Sequence, residues 1–332
     1  MQIIAQCIPN LEEISIKEIK ELINQESKII IPGRIKFNAT KEEIKKLAKK
    51  TRSILKIYLF IEKIEFKELD DLEEQIKKIK FPEIKEPFAA KCERKGNHNF
   101  TSNDIEIIIG DSIKNKKVDL KNPETIIIAD ILKQDCLIGI EISNNLSKRD
   151  YRIKILSNSI NPCLAYCMLR ISEVKEKETI LDPSCKSGEI IIEAFLSFKT
   201  LKGYATDSLL NHLKALEINS KIAQVYKKIE ISRQDIEWLD TKFNEEEIDH
   251  IITFPPYPSK IFKEKKAERL YKDLFHAGSY ILKEKGNITI LTNSPKLLEK
   301  TANSENFKLK KQYKLNYMNQ EFYILVFSKS FK

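Results

Sequence analysis

Three aspartates each close a short run rich in β-branched residues: Asp182 in ETILDPS, Asp207 in KGYATD and Asp235 in KIEISRQD. A fourth run, IDHIITFPP, delivers Phe254 and the rigid Pro255–Pro256 pair, with Tyr257 following. These runs alternate with helical stretches, a pattern that predicts a mainly parallel sheet covered by helices. Ligands of such sheets bind beyond the carboxyl ends of the strands, where the three acids and the Pro-Pro-Tyr tip all fall. The set suits a nucleoside-type ligand. LDPSCKSGEIIIEAF reads as strand, small-residue loop and helix, so the backbone around Ser184, Ser187 and Gly188 can hold a carboxylate or phosphate at a helix N-terminus. Asp182 suits the ammonium of an amino-acid moiety. Asp207 follows Gly188 by 19 residues, close to the ~20 expected of an acid that takes ribose hydroxyls. Asp235 can accept from an exocyclic amine while Ile236 covers a ring. A dinucleotide site is the runner-up, but the loop lacks G-x-G-x-x-G.

The elements ahead of this half are of another kind. MQIIAQCI reads as a strand and NLEEISIKEIKELI as a helix with Asn10 as its N-cap. SKIIIPGRIKFNA gives two strands about a Pro32–Gly33 turn, and TKEEIKKLAKKT opens with a capping box, Thr40 to Glu43. In FAAKCERKGNHNFTSNDIEIIIGDSI, a cationic strand end carries Arg94 and Lys95, Gly96 permits close backbone approach, and His98 and Phe100 follow. Ser102 or Asn103 is expected to cap the next helix, whose N-terminus suits an anion. By spacing alone, His98 and Phe100 are more simply read as packing beneath a loop. Further on, Lys148, Arg149 and Arg152 surround Tyr151, a cluster suited to a phosphate backbone and one stacked base, or to a solvated linker turn. Asn161 and Pro162 then start a helix.

Composition bounds the rest. At 332 residues, 42% hydrophobic and 32% charged, the chain is too long for one ordinary core and reads as two or three globular domains. No apolar run reaches the ~18 residues of a membrane span, and nothing at the amino end looks like a signal peptide, so a cytoplasmic protein with no membrane partner is expected. The six cysteines lack C-x-x-C spacing, and no ligand set for a metal stands out. Of the net charge of +9, +2 lies up to Asp150 and +7 from Tyr151 on. This favours a polyanionic partner met by a shaped basic surface, although Lys/Glu-rich solvated faces alone can produce such a balance.

The pattern R-x-G-x-H-x-F-T-S-x-D-I, residues 94 to 105, resembles the signature of the THUMP domain, an RNA-binding module of tRNA-modifying enzymes. The resemblance implies that this module, with the ferredoxin-like unit before it, grips tRNA at its acceptor end, with Arg94, Lys95 and His98 as contacts. L-S-K-R-D-Y-R resembles the link of THUMP-bearing methyltransferases, with Asp150 where glycine is usual; in that setting Lys148, Arg149, Tyr151 and Arg152 are expected RNA contacts. The D-P-x-C-x-S-G loop and P-P-Y resemble class I S-adenosylmethionine methyltransferases acting on exocyclic amines. Together, in this order, the motifs resemble the archaeal tRNA guanine-N2 methyltransferases, closest to the subgroup acting at position 6, with position 10 as a near rival.

What this implies is an α/β chain: a Rossmann-like class I methyltransferase domain preceded by an α+β ferredoxin-like/THUMP RNA-binding domain. The expected boundaries are 1–65, 66–142, a linker at 143–160, and 161–332. S-adenosylmethionine is the implied cofactor, tRNA the partner, and a monomer the expected state, with a partner subunit left open. Two departures matter. Lys186 stands where the family has glycine, which is tolerable at negative φ, and its ammonium can pair with the cofactor carboxylate. Phe254 stands where the family has Asn or Asp, and Pro258 replaces a glycine. Phe254 removes a side-chain acceptor for the target amine, although it can instead add a stacking surface. A tRNA-binding protein that has lost catalysis is therefore the second reading beside the enzyme.

Overall fold

The computed structural model describes residues 1–330, so the last two positions of the expected 161–332 domain lie outside the described residues. By contact the chain forms two compact units: Met1–Cys7 with Ser15–Leu146, and Ile8–Ile14 with the chain from Ser147 on.

The first unit is built on one seven-stranded sheet. In chain order its elements are β1 (Gln2–Cys7), α1 (Glu12–Ile23, reaching it from Ser15), β2 (Ser27–Ile31), β3 (Arg34–Asn38), α2 (Lys41–Lys50), β4 (Ile54–Glu65), α3 (Leu69–Lys77), β5 (Phe88–Lys95), α4 (Ser102–Ser112), β6 (Thr125–Leu132) and β7 (Asp135–Ser143). The strand order is β2-β3-β1-β4-β7-β6-β5, antiparallel except for the parallel β5–β6 pair. The long strand β4 pairs with β1 on one side and β7 on the other, so the ferredoxin-like and THUMP portions share a continuous sheet. Thr40 and Glu43 form the expected capping box. Asn10 does not cap α1: its φ is +69°, outside the extended backbone of an N-cap. The cap of α4 is Thr101, in a capping box with Asp104, one residue earlier than the sequence suggested. Across the sheet, Arg34 clasps Asp130 through Nε and through Nη2 at 2.7 Å, and Tyr58 donates to the same carboxylate at 3.0 Å. All three are buried. Burial alone would push the guanidinium toward neutrality, but the carboxylate beside it holds its pKa above the usual value.

The second unit contains α5 (Pro162–Ile171), β8 (Thr179–Asp182), α6 (Glu189–Ser197), β9 (Lys202–Asp207), α7 (Leu210–Ile222), β10 (Ile229–Arg233), α8 (Leu239–Lys242), β11 (Ile248–Thr253), α9 (Glu264–Ile281), β12 (Leu282–Thr292), α10 (Pro295–Ser304), β13 (Phe307–Tyr317) and β14 (Gln320–Lys329). The sheet order is β10-β9-β8-β11-β12-β14-β13. It is parallel up to β12 and antiparallel through the closing hairpin. The period of two sorts the strand residues between two cores. Ile180, Ala205, Ile252, Leu291 and Ile324 face the cluster that takes in α5, α6 and α7. Leu181, Tyr204, Ile251, Ile290 and Leu325 face the cluster around α8, α9 and α10. Both faces are therefore covered, which leaves the carboxyl ends of the strands as the rim where ligands of such sheets bind.

Candidate active site

Strands β8 and β9 end on Asp182 and Asp207, and β11 ends one residue before Phe254. The loop after β8 turns tightly into α6. Gly188, at φ +90°, is the helix N-cap residue, and a Cβ there would meet Leu216 Cδ1 at 2.2 Å. Only glycine fits both demands. Asp182 accepts from Ser184 N at 3.3 Å. It is 2% exposed, and burial lifts its carboxyl from 3.8 to about 7. Asp207 accepts from Lys186 N (3.1 Å) and Leu209 N (3.1 Å), and His212 Nδ1 lies 2.9 Å from it. A carboxylate offers about four lone-pair directions, so Asp207 retains capacity for hydroxyl donors. Asp235 is exposed just beyond β10, the next strand over. Ile236, next to it, is buried in the cluster with Leu239, Phe243 and Tyr271. A hydrophobe beside an acid cannot be assigned to ligand or core from sequence alone.

Lys186 has φ +48°, not the negative value expected of a non-glycine residue. The left-handed region costs an L-residue about 1–2 kcal/mol, a strain borne by the turn into α6. That side chain is 9% exposed. Its ammonium donates to Asn158 O at 3.2 Å and sits 4.0 Å above the Phe254 ring centroid. Burial lowers its pKa from 10.5 to about 8, against the pull of Asp182, Asp207 and Glu189. Phe254 is 2% exposed and stacks on Tyr257, centroids 5.4 Å apart and planes 10° apart. Phe322 closes on both rings edge-on, at 5.8 and 5.0 Å. Pro255 is buried and Pro256 half-buried. Tyr257 thus gives one face to Phe254, and Phe254 itself is a core ring, not an extra surface for a base. Between Asp182, Lys186, Ile190 and Phe254 the remaining cavity is about 10 Å³, at the threshold for a single water.

The Lys-Arg-Asp-Tyr-Arg cluster has a different use from the expected RNA surface. Arg149 Nε pairs with Glu193 at 3.0 Å, Tyr151 Oη donates to Glu193 at 2.9 Å, and Arg152 Nε pairs with Glu189 at 3.2 Å. Tyr151 is buried, and Lys148 alone of the four is exposed. Asn219 then bonds Ile153 N (3.1 Å), Lys154 N (2.9 Å), Lys154 O (2.8 Å) and Ser187 O (2.9 Å). Ser159 bonds Ser187 at 2.5 Å. Residues 149–161 are a strap tied across the loop and α6. Asn158, Ser159 and Asn219 were not singled out in the sequence; the signal available was that Asn219 follows Leu216 by three residues and so falls on the buried face of α7.

In the first unit, Arg94 Nη1 lies 3.0 Å from His98 Nδ1, and His98 Nε2 lies 2.6 Å from Lys133 O. A carbonyl only accepts, so Nε2 carries the proton and Nδ1 accepts from arginine. Phe100 is buried against His98 and Phe66, while Lys95 is exposed. Gly96, at φ +134°, lets His98 lie close: a Cβ would stand 2.9 Å from its Cε1. Phe66, Lys67, Gly96, Asn97, His98 and Lys133 are among the residues that line a cleft of about 610 Å³. None of the six cysteines forms a disulfide, and no cluster able to hold a metal occurs among the described residues.

Residues 66–141 match the THUMP domain family, and residues 149–321 match the family described as "RMKL-like, methyltransferase domain". A tRNA (guanine(6)-N2)-methyltransferase of Methanocaldococcus jannaschii is 28% identical, across 95% of this chain and 97% of that protein. A tRNA (guanine(10)-N2)-dimethyltransferase of Methanothermobacter thermautotrophicus is 30% identical, across 75% of this chain and 74% of its own. Among solved structures, TrmN from Thermus thermophilus superposes with a TM-score of 0.81 at 25% identity, covering 99% of both chains. The strand-end acids, the glycine-pinned loop and the Pro-Pro-Tyr tip therefore sit in a recognised frame: the chain belongs to the RMKL-like methyltransferase domain family, with a THUMP domain ahead of the catalytic one.

Proposed function

We propose that this protein methylates the exocyclic N2 of a guanosine in tRNA, using S-adenosylmethionine, and that the target is position 6. The observation that carries the reading is the end-to-end match, THUMP portion included, to a relative named for guanine(6)-N2 methylation. The match to a position-10 enzyme spans three quarters of the chain. Relatives named for catalysis weigh against the reading of a tRNA-binding protein without activity.

The donor set fits the cofactor chemically. Asp182 offers a buried carboxyl to an α-ammonium, Asp207 offers lone pairs to ribose hydroxyls, Asp235 offers an acceptor to an adenine amine, and the Ser187–Gly188 turn opens the N-terminus of α6. When bound, S-adenosylmethionine supplies an electrophilic methyl group. The protein's part is to hold the guanine amine in line with that methyl group and to accept hydrogen bonds from its N–H groups, the proton displaced on methylation passing to solvent. Pro255 and Pro256 stiffen the β11 tip, and their backbone carbonyls are the acceptors that remain once Phe254 replaces a polar residue. Tyr257, packed on Phe254 and Phe322, is the ring that a base taken out of its helix would meet at this tip. The cleft beside Arg94, Lys95 and His98 is the candidate surface for the tRNA backbone.

Transcripts carrying inosine, which lacks the 2-amino group, at position 6 or at position 10 test the target. Loss of methyl incorporation only with inosine at 6 supports the reading. Loss only with inosine at 10 moves the target, and incorporation unaffected by either substitution removes guanine N2 at these positions from consideration.

A further inference from the structure

We infer that Lys186 is an internal competitor of the cofactor: its ammonium occupies the amino-acid end of the S-adenosylmethionine pocket and must leave before the cofactor can seat. The inference rests on the proposed reading of this site and concerns how the site is kept closed.

Three observations meet here. The side chain departs from a loop position held in the left-handed region, at φ +48°, so backbone strain is borne to keep a long cation where glycine would leave space. Its ammonium is nine-tenths buried, yet has one hydrogen bond, to Asn158 O, and one aromatic face, Phe254, for its three N–H donors. Around it stand the carboxylates of Asp182, Asp207 and Glu189. A cofactor's α-ammonium would seek this same environment, and the lysine supplies the cation from within. The volume agrees: about 10 Å³ remains beside Asp182 and Phe254, whereas a pocket for a ligand of drug size takes roughly 300 Å³ or more. Asn158 belongs to the strap, so the lysine also pins strap to loop.

The test is calorimetry with two probes on the whole chain. S-adenosylhomocysteine carries the amino-acid end; 5′-methylthioadenosine has the same nucleoside and thioether without it. Lys186→Gly suits the backbone angle and empties the space. Relief of one buried hydrogen bond and one cation–π contact corresponds to about ten- to hundredfold tighter binding of S-adenosylhomocysteine. Methylthioadenosine affinity should change less than about threefold. Equal or weaker binding of S-adenosylhomocysteine to the glycine variant overturns the inference, the weaker result meaning that Lys186 pairs with the cofactor carboxylate. An equal gain for both probes also overturns it, since the lysine would then act on the loop as a whole. If neither probe binds either protein, the methyltransferase reading fails and this inference with it.

Discussion

Asp182 is held in the fold at a stability cost, and Asp182→Asn should expose this. The carboxyl is buried at the end of β8, and burial raises its pKa from 3.8 to about 7. Because the folded pKa lies above the unfolded one, the stability attached to the protonated carboxyl is complete below about pH 4 and is lost as pH rises through about 7. A shift of about three units corresponds to an upper bound of roughly 4 kcal/mol at pH 8. Asparagine keeps an oxygen for Ser184 N and never ionises. The variant should therefore melt higher than wild type at pH 8, by several degrees at roughly 2–4 °C per kcal/mol, and the gap should narrow by more than half at pH 5 and close only near pH 4. Its affinity for S-adenosylhomocysteine should fall, since an ammonium loses its charged acceptor. Thermal melts at the two pH values and calorimetry at pH 8 read both effects. A variant that melts lower than wild type at pH 8, or a gap independent of pH, would refute the account of Asp182 as a desolvated acid kept for function.

Other perturbations separate the parts of the account. Asp207→Ala should weaken S-adenosylhomocysteine binding by about 1–3 kcal/mol through loss of a charged acceptor, read by calorimetry; unchanged affinity would take Asp207 out of the ribose site. Phe254→Asn should speed methyl transfer to tRNA in single-turnover assays, because a positioned polar group is worth about 10²–10³ in rate, while lowering the melting temperature by removing a ring packed on Tyr257 and Phe322. Wild-type turnover at ordinary enzyme rates with a slower Asn variant would contradict the view of Phe254 as a missing acceptor. Asp130→Ala should destabilise by about 3–5 kcal/mol, because it leaves the buried Arg34 charge without its carboxylate; a denaturation midpoint near wild type would count against that buried pair as an anchor of the first sheet.

The parts legible in the sequence were those fixed by local pattern. Alternating β-branched runs gave the strands of the second unit, and the register of acids at their ends located the rim, because side-chain period and strand polarity are properties of short segments. The Thr40–Glu43 box was legible for the same reason. What escaped depends on partners distant in sequence. Arg149, Tyr151 and Arg152 looked like an RNA surface because Glu189 and Glu193, which hold them, come some 40 residues later. Ile236 could have covered a ligand or filled a core, and only the packing of α8 and α9 decides for the core. Lys186 was read as tolerable at negative φ, whereas the turn into α6 holds it at the left-handed angle. Phe254 was visible as an oddity, but its stacking on Tyr257 and its contact with Lys186 required the folded chain.

The central claim is tested most directly by the chemical identity of the product. The protein is incubated with S-adenosylmethionine and unmodified tRNA, the RNA is digested to nucleosides, and these are resolved by mass and retention. The account predicts N2-methylguanosine, formed in proportion to enzyme and, at limiting cofactor, reduced with Asp207→Ala. A digest without N2-methylguanosine from a preparation that binds both S-adenosylhomocysteine and tRNA would contradict it.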